Sequence, residues 1–313
     1  MATPNAGSGT MKVGWIGAGN MGNPMAVNML PAASEFRVHD IRPEVTANLQ
    51  EMGAEWSESP AQMARDSDVV VMSLPMPHHV EAVCLGPDGI MEGVDSDSIV
   101  IDLSTNASDM IARLQREFME QKGVRFLDAP VSGGVQGAID QDLCVMVGGD
   151  EDAYLEVKPI LDAMGDKVMY CGPSGTGTTC KLMNNVVGAM IYSCVVEVLT
   201  AGVKTGIDLK TLATAIAGST GGKNRPFDAW ADGSFDRSFE ADEKTFYLEL
   251  ALKDVRLACE LGALNGVPMD IANLVRQRLV EGNARGWGRD KMFAYRTLQE
   301  ERADVVLGDL WKE

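Results

Sequence analysis

Short apolar runs alternate with amphipathic stretches along residues 11–170. Six of these runs are typical of β-strands: Lys12–Gly17, Glu35–Asp40, Asp68–Leu74, Ser98–Leu103, Val124–Ala129 and Cys144–Val147. The central runs are almost continuous Val, Ile, Leu and Met, the pattern of parallel strands whose two faces are both covered by helices.

Helical periodicity fills the stretches between those runs. The predicted helices are Gly22–Leu30, Glu44–Met52, Ser59–Ala64, Asp109–Lys122 and Asp150–Met164. Strands that alternate with helices imply right-handed crossovers, so we predict an α/β domain built on a doubly wound sheet.

The pattern changes after Gly172. Residues 178–205 read as one long helix without proline, and the helical segments that follow it are Leu209–Ala217, Phe246–Leu261, Asp270–Glu281 and Met292–Thr297. We therefore predict an α/β domain over residues 11–175 and an all-α domain over residues 176–313 that begins with the long helix. Residues 1–10 are small and polar and are expected to form a disordered leader.

Charge and cysteine content narrow the function classes. The chain carries 27 Lys and Arg against 45 Asp and Glu, a formal net charge of −18, which disfavours binding to nucleic acid. Six cysteines without a C-x-x-C pair, together with only three histidines, predict reduced thiols and no metal site. We expect a reducing, cytoplasmic location.

No apolar stretch reaches the roughly 18 uncharged residues of a membrane span. The longest, Asn184 to Val196, is followed by Glu197. The N-terminus lacks the basic and apolar regions of a secretory signal. We therefore expect a soluble protein that has no membrane partner.

A glycine-rich loop, Gly17-Ala18-Gly19-Asn20-Met21-Gly22, lies between the first predicted strand and the first predicted helix. This G-x-G-x-x-G spacing suits a dinucleotide diphosphate. The first glycine makes the tight turn, the second admits the diphosphate and the third lets helix and strand pack closely. The helix N-terminus adds N–H groups and a positive dipole end. The loop and its context predict a Rossmann-type site for a dinucleotide, and an ordinary glycine-rich turn is the alternative.

Asp40 ends the next predicted strand, 21 residues after Gly19. A carboxylate at this spacing accepts hydrogen bonds from the adenosine ribose and repels a 2′-phosphate, which favours NAD. Arg42 follows two residues later and could instead bind a 2′-phosphate, so NADP stays possible.

Six segments in register resemble the β-hydroxyacid dehydrogenases, the family of 3-hydroxyisobutyrate dehydrogenase and tartronate semialdehyde reductase. They are Trp15–Asn28, Leu74-Pro75, Asp102–Thr105, Asp128–Gly134, Gly172–Asn185 and Leu252–Ala258. The resemblance covers roughly residues 11–262 and implies a two-domain dehydrogenase.

The resemblance implies that Ser132, Gly133 and Gly134 bind the carboxylate and hydroxyl of the substrate. Consecutive N–H groups beside glycines can form such an anion-binding concavity. The alternative is an ordinary loop after a buried strand.

Lys181 lies about one turn into the long helix, after the capping candidates Thr178 and Thr179. The positive end of the helix dipole disfavours a charged lysine there, which would lower its pKa and suit a proton-transfer role. By resemblance, Lys181 is the catalytic acid and base and Asn185, four residues on, orients the substrate. The alternative is a solvated helical lysine.

The resemblance implies further contacts. Leu74, Pro75 and Thr105 end strands at the carboxyl edge of the sheet, where they would line the cofactor. Lys253 would lie near the nicotinamide and Phe246 would form an apolar wall for the substrate. A surface lysine and a core aromatic are the plain alternatives.

The resulting hypothesis is hydride transfer between a nicotinamide cofactor and a short 3-hydroxy acid or semialdehyde. Two alternatives remain open: an imine reductase on the same architecture, and a dinucleotide-binding module without catalysis. The pair Lys181 and Asn185 argues against the first, because a protonated imine needs no lysine acid. The long apolar helix suggests, by resemblance, a homo-oligomer.

Overall fold

The computed structural model describes residues 11–223, 238–241, 246–304 and 306–310. The expected leader, residues 1–10, lies outside this part of the chain. The structure divides into two compact units, Met1–Val186 and Val187–Glu313.

A mixed β-sheet forms the centre of the first unit. Its strands, among the described residues, are β1 (Lys12–Ile16), β2 (Glu35–His39), β3 (Glu55–Trp56), β4 (Val69–Met72), β5 (Ile99–Asp102), β6 (Arg125–Asp128), β7 (Val131–Ser132), β8 (Cys144–Gly148) and β9 (Lys167–Gly172). They are ordered β3-β2-β1-β4-β5-β6-β8-β7, and β9 pairs with β8. The order reverses beside β1, as the doubly wound prediction requires.

Strand direction departs from the parallel pattern at one edge. The pairs from β3 to β6 are parallel, with Asp102 beside Asp128 at the ends of β5 and β6. Strand β8 pairs antiparallel with both β6 and β7 and parallel with β9. The two-residue strands β3 and β7 are too short to leave a periodic signal in the sequence.

Eight helices in the first unit cover the sheet or connect its strands, counting only the described residues. They are α1 (Gly22–Met29), α2 (Ala47–Glu51), α3 (Pro60–Arg65), α4 (Pro77–Leu85), α5 (Ile90–Gly93), α6 (Ser108–Lys122), α7 (Gly134–Ile139) and α8 (Glu151–Leu161). Short 3-10 turns stand at Leu30–Ala32, Pro43–Thr46 and Asp162–Met164.

Several sequence predictions need correction. The segment Glu44–Met52 is not one helix, because a 3-10 turn starts at Pro43 and α2 begins only at Ala47. The prediction missed β9, a strand that begins at Lys167 and in which only Val168 is buried. It also missed α4, where His78 and His79 are exposed in the first turn.

Two apolar layers form the core of the first unit, one on each face of the sheet. Trp15 and Val71 belong to one layer, whereas Ile16 and Met72 belong to the other. Successive residues of a strand point to opposite faces, so a run of apolar residues supplies both layers at once.

A long helix, α9 (Thr176–Lys204), begins in the first unit and ends in the second. The second unit continues with α10 (Leu209–Gly218), α11 (Leu248–Leu264), α12 (Asp270–Ala284), α13 (Arg296–Ala303) and α14 (Leu307–Leu310). Its core includes Leu248, Ala251, Leu279 and Ala294. The predicted helix Met292–Thr297 is instead a 3-10 turn, Met292–Tyr295, that leads into α13.

Helix α9 is long and apolar enough, by length and composition, to cross a membrane, and it is the one such helix in the described residues. Its Glu197 accepts hydrogen bonds of 3.0 Å from the backbone N–H groups of Ile271 and Ala272. The carboxylate that ends the uncharged run of α9 therefore caps the first turn of α12.

Candidate active site

The glycine loop between β1 and α1 contains two glycines that the fold requires. Gly17 has a φ of +92°, and a Cβ there would lie 2.3 Å from the carbonyl oxygen of Ser73. A Cβ on Gly22 would lie 2.0 Å from the carbonyl oxygen of Gly17. Both contacts are far shorter than any real Cβ contact, so neither position tolerates a side chain without a backbone shift.

Gly19 differs, because no protein atom lies within 4 Å of the position of its Cβ. The fold therefore leaves an open approach to the backbone at the middle of the loop. A dinucleotide diphosphate requires such an approach beside a helix N-terminus. The loop Gly17 to Gly22, with Ala18, Asn20 and Met21 between the glycines, thus fits a nicotinamide dinucleotide.

Asp40 follows β2 and is 8% exposed. Its Oδ2 accepts a hydrogen bond of 2.8 Å from the N–H of Ala18, and its Oδ1 accepts one of 2.9 Å from the N–H of Arg42. Asp40 therefore orders the glycine loop, a role that the spacing argument had not assigned. The guanidinium of Arg42 is exposed, with Nε 3.9 Å from Asp40 Oδ1.

The turns after β4 and β5 are linked at the carboxyl edge of the sheet. The N–H of Leu74 donates to Ser104 Oγ at 2.8 Å, and the N–H of Ser104 donates to Asp102 Oδ1 at 2.9 Å. Pro75 and Thr105, which follow in these turns, are exposed. The structure thus connects the turns that carry Leu74, Pro75 and Thr105.

Asp102 lies fully buried beneath this connection. Burial raises the pKa of its carboxyl to about 7, although hydrogen bonds from Ser104 and Asn106 oppose the shift. The amide Nδ2 of Asn106 lies 2.5 Å from Asp102 Oδ2. Sequence reasoning missed Asp102 and Ser104 as site residues. The signal in the sequence was Asp102 at the end of an apolar run, with Ser104 two residues later.

Asp128 ends the neighbouring strand β6 and is also fully buried. Its Oδ1 accepts a hydrogen bond of 2.9 Å from the N–H of Gly175, and its Oδ2 accepts one of 2.6 Å from the N–H of Thr178. The predicted capping role of Thr178 and Thr179 is therefore wrong. Helix α9 already begins at Thr176, and a carboxylate from the sheet binds its first N–H groups.

Ser132, Gly133 and Gly134 form the turn from β7 into α7. Gly133 has a φ of +144° and Gly134 a φ of +67°, backbone conformations that favour glycine. The Nδ2 of Asn184 on α9 lies 3.3 Å from Ser132 Oγ and 3.3 Å from Asn185 Oδ1. The turn and the helix that carries Lys181 therefore meet within the first unit.

Lys181 lies on α9, half-buried, six residues into the helix. Burial lowers the pKa of its ammonium below the ordinary lysine value, and the nearby Cys144 opposes the shift. The direction matches the sequence prediction, but the leading cause is desolvation, whereas the sequence argument used the helix dipole. A lysine with a lowered pKa exchanges a proton more readily near neutral pH.

Phe246 and Lys253 belong to the second unit. Phe246 is exposed and precedes α11, so the predicted helix start at this residue is wrong by two positions. Lys253 on α11 lines a groove of about 700 Å³ between α11 and α12, together with Arg256 and Arg276.

Potential metal ligands do not cluster in the described residues. The part of the chain that the structure describes holds no cluster of three or more His, Cys, Asp or Glu residues suited to a metal ion. The rings of His78 and His79 lie 4.1 Å apart, and both side chains are exposed on α4.

Two family models match the chain. The first, the NAD binding domain of 6-phosphogluconate dehydrogenase, matches residues 12–172. The second, described as NAD-binding of NADP-dependent 3-hydroxyisobutyrate dehydrogenase, matches residues 175–298. Together they cover the glycine loop, the turn at Ser132 and helix α9.

Curated relatives include three dehydrogenases. The 3-hydroxyisobutyrate dehydrogenase of Pseudomonas aeruginosa is 37% identical over 67% of this chain and 70% of its own length. The mitochondrial 3-hydroxyisobutyrate dehydrogenase of Mus musculus is 32% identical over 92% of this chain and 87% of its own. The 2-(hydroxymethyl)glutarate dehydrogenase of Eubacterium barkeri is 30% identical over 95% and 97%.

Solved structures agree with these matches. The 3-hydroxyisobutyrate dehydrogenase of Mycobacterium tuberculosis, solved with L-serine, has a TM-score of 0.63 at 27% identity over 92% of this chain and 99% of its own. An imine reductase from Myxococcus stipitatus has a TM-score of 0.78 at 16% identity over 93% and 99%, a likeness of fold alone.

Proposed function

Since this chain belongs to the β-hydroxyacid dehydrogenase family, we propose that it transfers a hydride between NAD and a short 3-hydroxy acid or its semialdehyde. The family assignment makes the protein an oxidoreductase that uses a nicotinamide cofactor and acts on hydroxy acids. The substrates that we propose are of the 3-hydroxyisobutyrate or tartronate semialdehyde type. The observation that carries the proposal is the half-buried Lys181, whose helix also contacts the Ser132 turn.

The glycine loop would hold the cofactor diphosphate over the open position at Gly19. Leu74, Pro75 and Thr105 would line the cofactor along the sheet edge. Lys253 is the remaining residue that we propose for cofactor binding. When bound, the nicotinamide supplies the site that accepts or donates the hydride. Side chains and backbone N–H groups of this chain carry out every other step.

Lys181 Nζ is the proposed site of proton exchange. In the oxidation direction the neutral amine takes the proton of the substrate hydroxyl, and in the reduction direction the ammonium returns a proton to the carbonyl oxygen. Burial supports this role because it increases the neutral fraction of the amine at a given pH.

The substrate carboxylate would bind at Ser132, Gly133 and Gly134, where a hydroxyl and backbone N–H groups lie together. Asn185 would orient the reacting oxygen from the same helix as Lys181. Phe246 would supply an apolar wall. The net charge of −18 repels an anionic substrate at long range. The N–H groups and the hydroxyl at this turn would supply the local attraction that overcomes this repulsion.

NAD is the proposed cofactor, and NADP is the alternative. The carboxylate of Asp40 is held beside Ala18 of the glycine loop, where it would repel a 2′-phosphate. Arg42 is exposed beside it and is the residue that would accommodate such a phosphate.

A homo-oligomer is also proposed. Exposed apolar residues lie along the part of α9 in the second unit: Met190, Ile191, Tyr192, Val195 and Val198. An apolar surface of this kind is typical of a protein interface. Light scattering coupled to size-exclusion chromatography tests the proposal, and a monomer at micromolar concentration would overturn it.

An absorbance assay at 340 nm tests the proposed function. The protein is screened with 3-hydroxyisobutyrate, 2-(hydroxymethyl)glutarate and tartronate semialdehyde, each with NAD(H) and NADP(H). We expect turnover with at least one carboxylate substrate and a higher kcat/KM with NAD(H).

Cyclic imines serve as the comparison substrates in the same assay. Turnover of imines without turnover of carboxylate substrates would indicate an imine reductase instead. Cofactor binding without any turnover would indicate a non-catalytic dinucleotide-binding module. Either result would contradict the proposal.

A further inference from the structure

The carboxylate of Asp128 joins the sheet to the helix that carries Lys181. It is fully buried and binds two backbone N–H groups, at 2.9 Å from Gly175 and 2.6 Å from Thr178. Hydrogen bonds from N–H groups to a carboxylate are shorter and stronger than those to a neutral acceptor. Helix α9 is therefore tied to the end of β6 at its first turn.

Packing around this contact leaves no space for a side chain at Gly148 or Gly177. A Cβ on Gly148 would lie 2.6 Å from Asp128 Oδ1 and 2.7 Å from the backbone nitrogen of Gly177. A Cβ on Gly177 would lie 2.2 Å from the carbonyl oxygen of Met146 and 2.6 Å from that of Asp128. Two glycines thus allow the helix backbone to lie directly against the strand ends.

The chain that leaves Asp128 leads straight to the proposed carboxylate site. Only Ala129 and Pro130 separate Asp128 from β7, which ends at Ser132. Asn184, six residues after Thr178 on α9, lies with its Nδ2 3.3 Å from Ser132 Oγ. Asp128 therefore joins β6 to the start of α9, and Asn184 forms a second contact between α9 and the turn at Ser132.

We propose that Asp128 is a positioning residue, which sets the distance between the substrate-binding turn at Ser132 and the proton-exchanging amine of Lys181. The proposal rests on the proposed function. Asp128 acts through the backbone of α9, and it does not exchange the proton itself. Errors of about 1 Å in such a distance can lower a rate by about 10².

Asp102 provides a matched comparison. It occupies the register position beside Asp128, is equally buried and also binds a backbone N–H group. Its partners, however, are Ser104 and Asn106, and Ser104 Oγ in turn accepts a hydrogen bond from Leu74 on the proposed cofactor side. Substitutions at the two carboxylates therefore distinguish a change in the position of α9 from a change at the sheet edge proposed to bind the cofactor.

The test compares Asp128→Asn with Asp102→Asn in steady-state kinetics and hydrogen exchange. The asparagine at 128 keeps one acceptor oxygen but turns an amide N–H₂ towards the other backbone N–H. We expect kcat to fall about 10- to 100-fold, with little change in the KM of the cofactor. We also expect faster exchange in the peptide 173–182. Asp102→Asn should instead raise the KM of the cofactor and leave exchange in that peptide unchanged.

Gly148→Ala provides a second route if Asp128→Asn does not fold. It inserts a methyl group between Asp128 and Gly177 and should reproduce the fall in kcat and the faster exchange. An unchanged kcat and unchanged exchange in either folded variant would overturn the inference, as would equal losses in Asp128→Asn and Asp102→Asn.

The failure of the proposed function is distinguishable from the failure of this inference. A wild-type protein without turnover would refute the proposed function, whereas hydrogen exchange would still report whether Asp128 holds the start of α9. Turnover in the wild-type protein, with both readouts unmoved by Asp128→Asn, would refute the inference alone.

Discussion

Substitution of Gly19 and Gly22 by alanine separates a glycine needed for ligand binding from one needed for folding. At Gly22 the new Cβ would lie 2.0 Å from the carbonyl oxygen of Gly17, so the backbone must shift. At Gly19 the same methyl group meets no protein atom within 4 Å. The two variants therefore add the same methyl group to one loop, at a crowded position in Gly22→Ala and at an open position in Gly19→Ala.

The expected magnitudes follow from these contacts. Overpacking costs about 1–3 kcal/mol, so Gly22→Ala should lower Tm by roughly 4–8 °C for a cost near 2 kcal/mol. Gly19→Ala should leave Tm unchanged or slightly raised, since alanine restricts the unfolded chain. Its methyl group would displace the diphosphate from the backbone. One hydrogen bond to a charged group is worth about 1.5–3 kcal/mol, which corresponds to about 10- to 100-fold in Kd.

Thermal unfolding without cofactor gives the first quantity, and titration of NADH fluorescence gives the second. We expect Gly19→Ala to unfold like the wild-type protein but to bind NADH weakly, and Gly22→Ala to unfold early. Wild-type NADH affinity in Gly19→Ala would refute the reasoning about the loop. So would equal losses of Tm in the two variants.

Three further outcomes are expected. In the oxidation direction, kcat should rise with pH as Lys181 loses its proton, with an inflection below the ordinary lysine value of 10.5; an inflection at or above that value would contradict the effect of burial. The pKa of Asp102 rises on folding from 3.8 to about 7, so the folded state binds the extra proton and its stability should fall between pH 4 and pH 7 relative to Asp102→Asn. Chemical denaturation at several pH values measures that difference, and a constant difference would contradict the shift. Arg42→Ala should lower kcat/KM with NADP and leave the value with NAD nearly unchanged; equal losses with both cofactors would contradict the selective role of Arg42.

The sequence predicted the parts of the fold that depend on local patterns. Uninterrupted apolar runs such as Val69–Met72 identified the central strands, because both faces of these strands are buried. The glycine spacing identified the loop before α1, because the close approach of Gly22 to the carbonyl oxygen of Gly17 involves residues only five positions apart. The reversal at β8 was not predictable in this way, because its partner β7 has only two residues.

The candidate site shows the same division. Lys181 was identified from its motif, but the expected helix cap at Thr178 or Thr179 was wrong. The group that binds the first turn is Asp128, which lies 47 residues before Gly175 in the chain. Local capping rules consider only neighbouring residues, and a carboxylate brought in by the sheet is invisible to them. Burial, the main cause of the pKa shift of Lys181, likewise depends on tertiary packing.

Substitution of Lys181 by methionine tests the central claim most directly, because methionine keeps a long unbranched side chain and cannot exchange a proton. The measurement is kcat for the best carboxylate substrate at saturating cofactor, with the Kd of NADH determined in parallel. We expect kcat to fall by about 10²–10⁴, with the Kd of NADH largely unchanged. Wild-type turnover in Lys181→Met would contradict it.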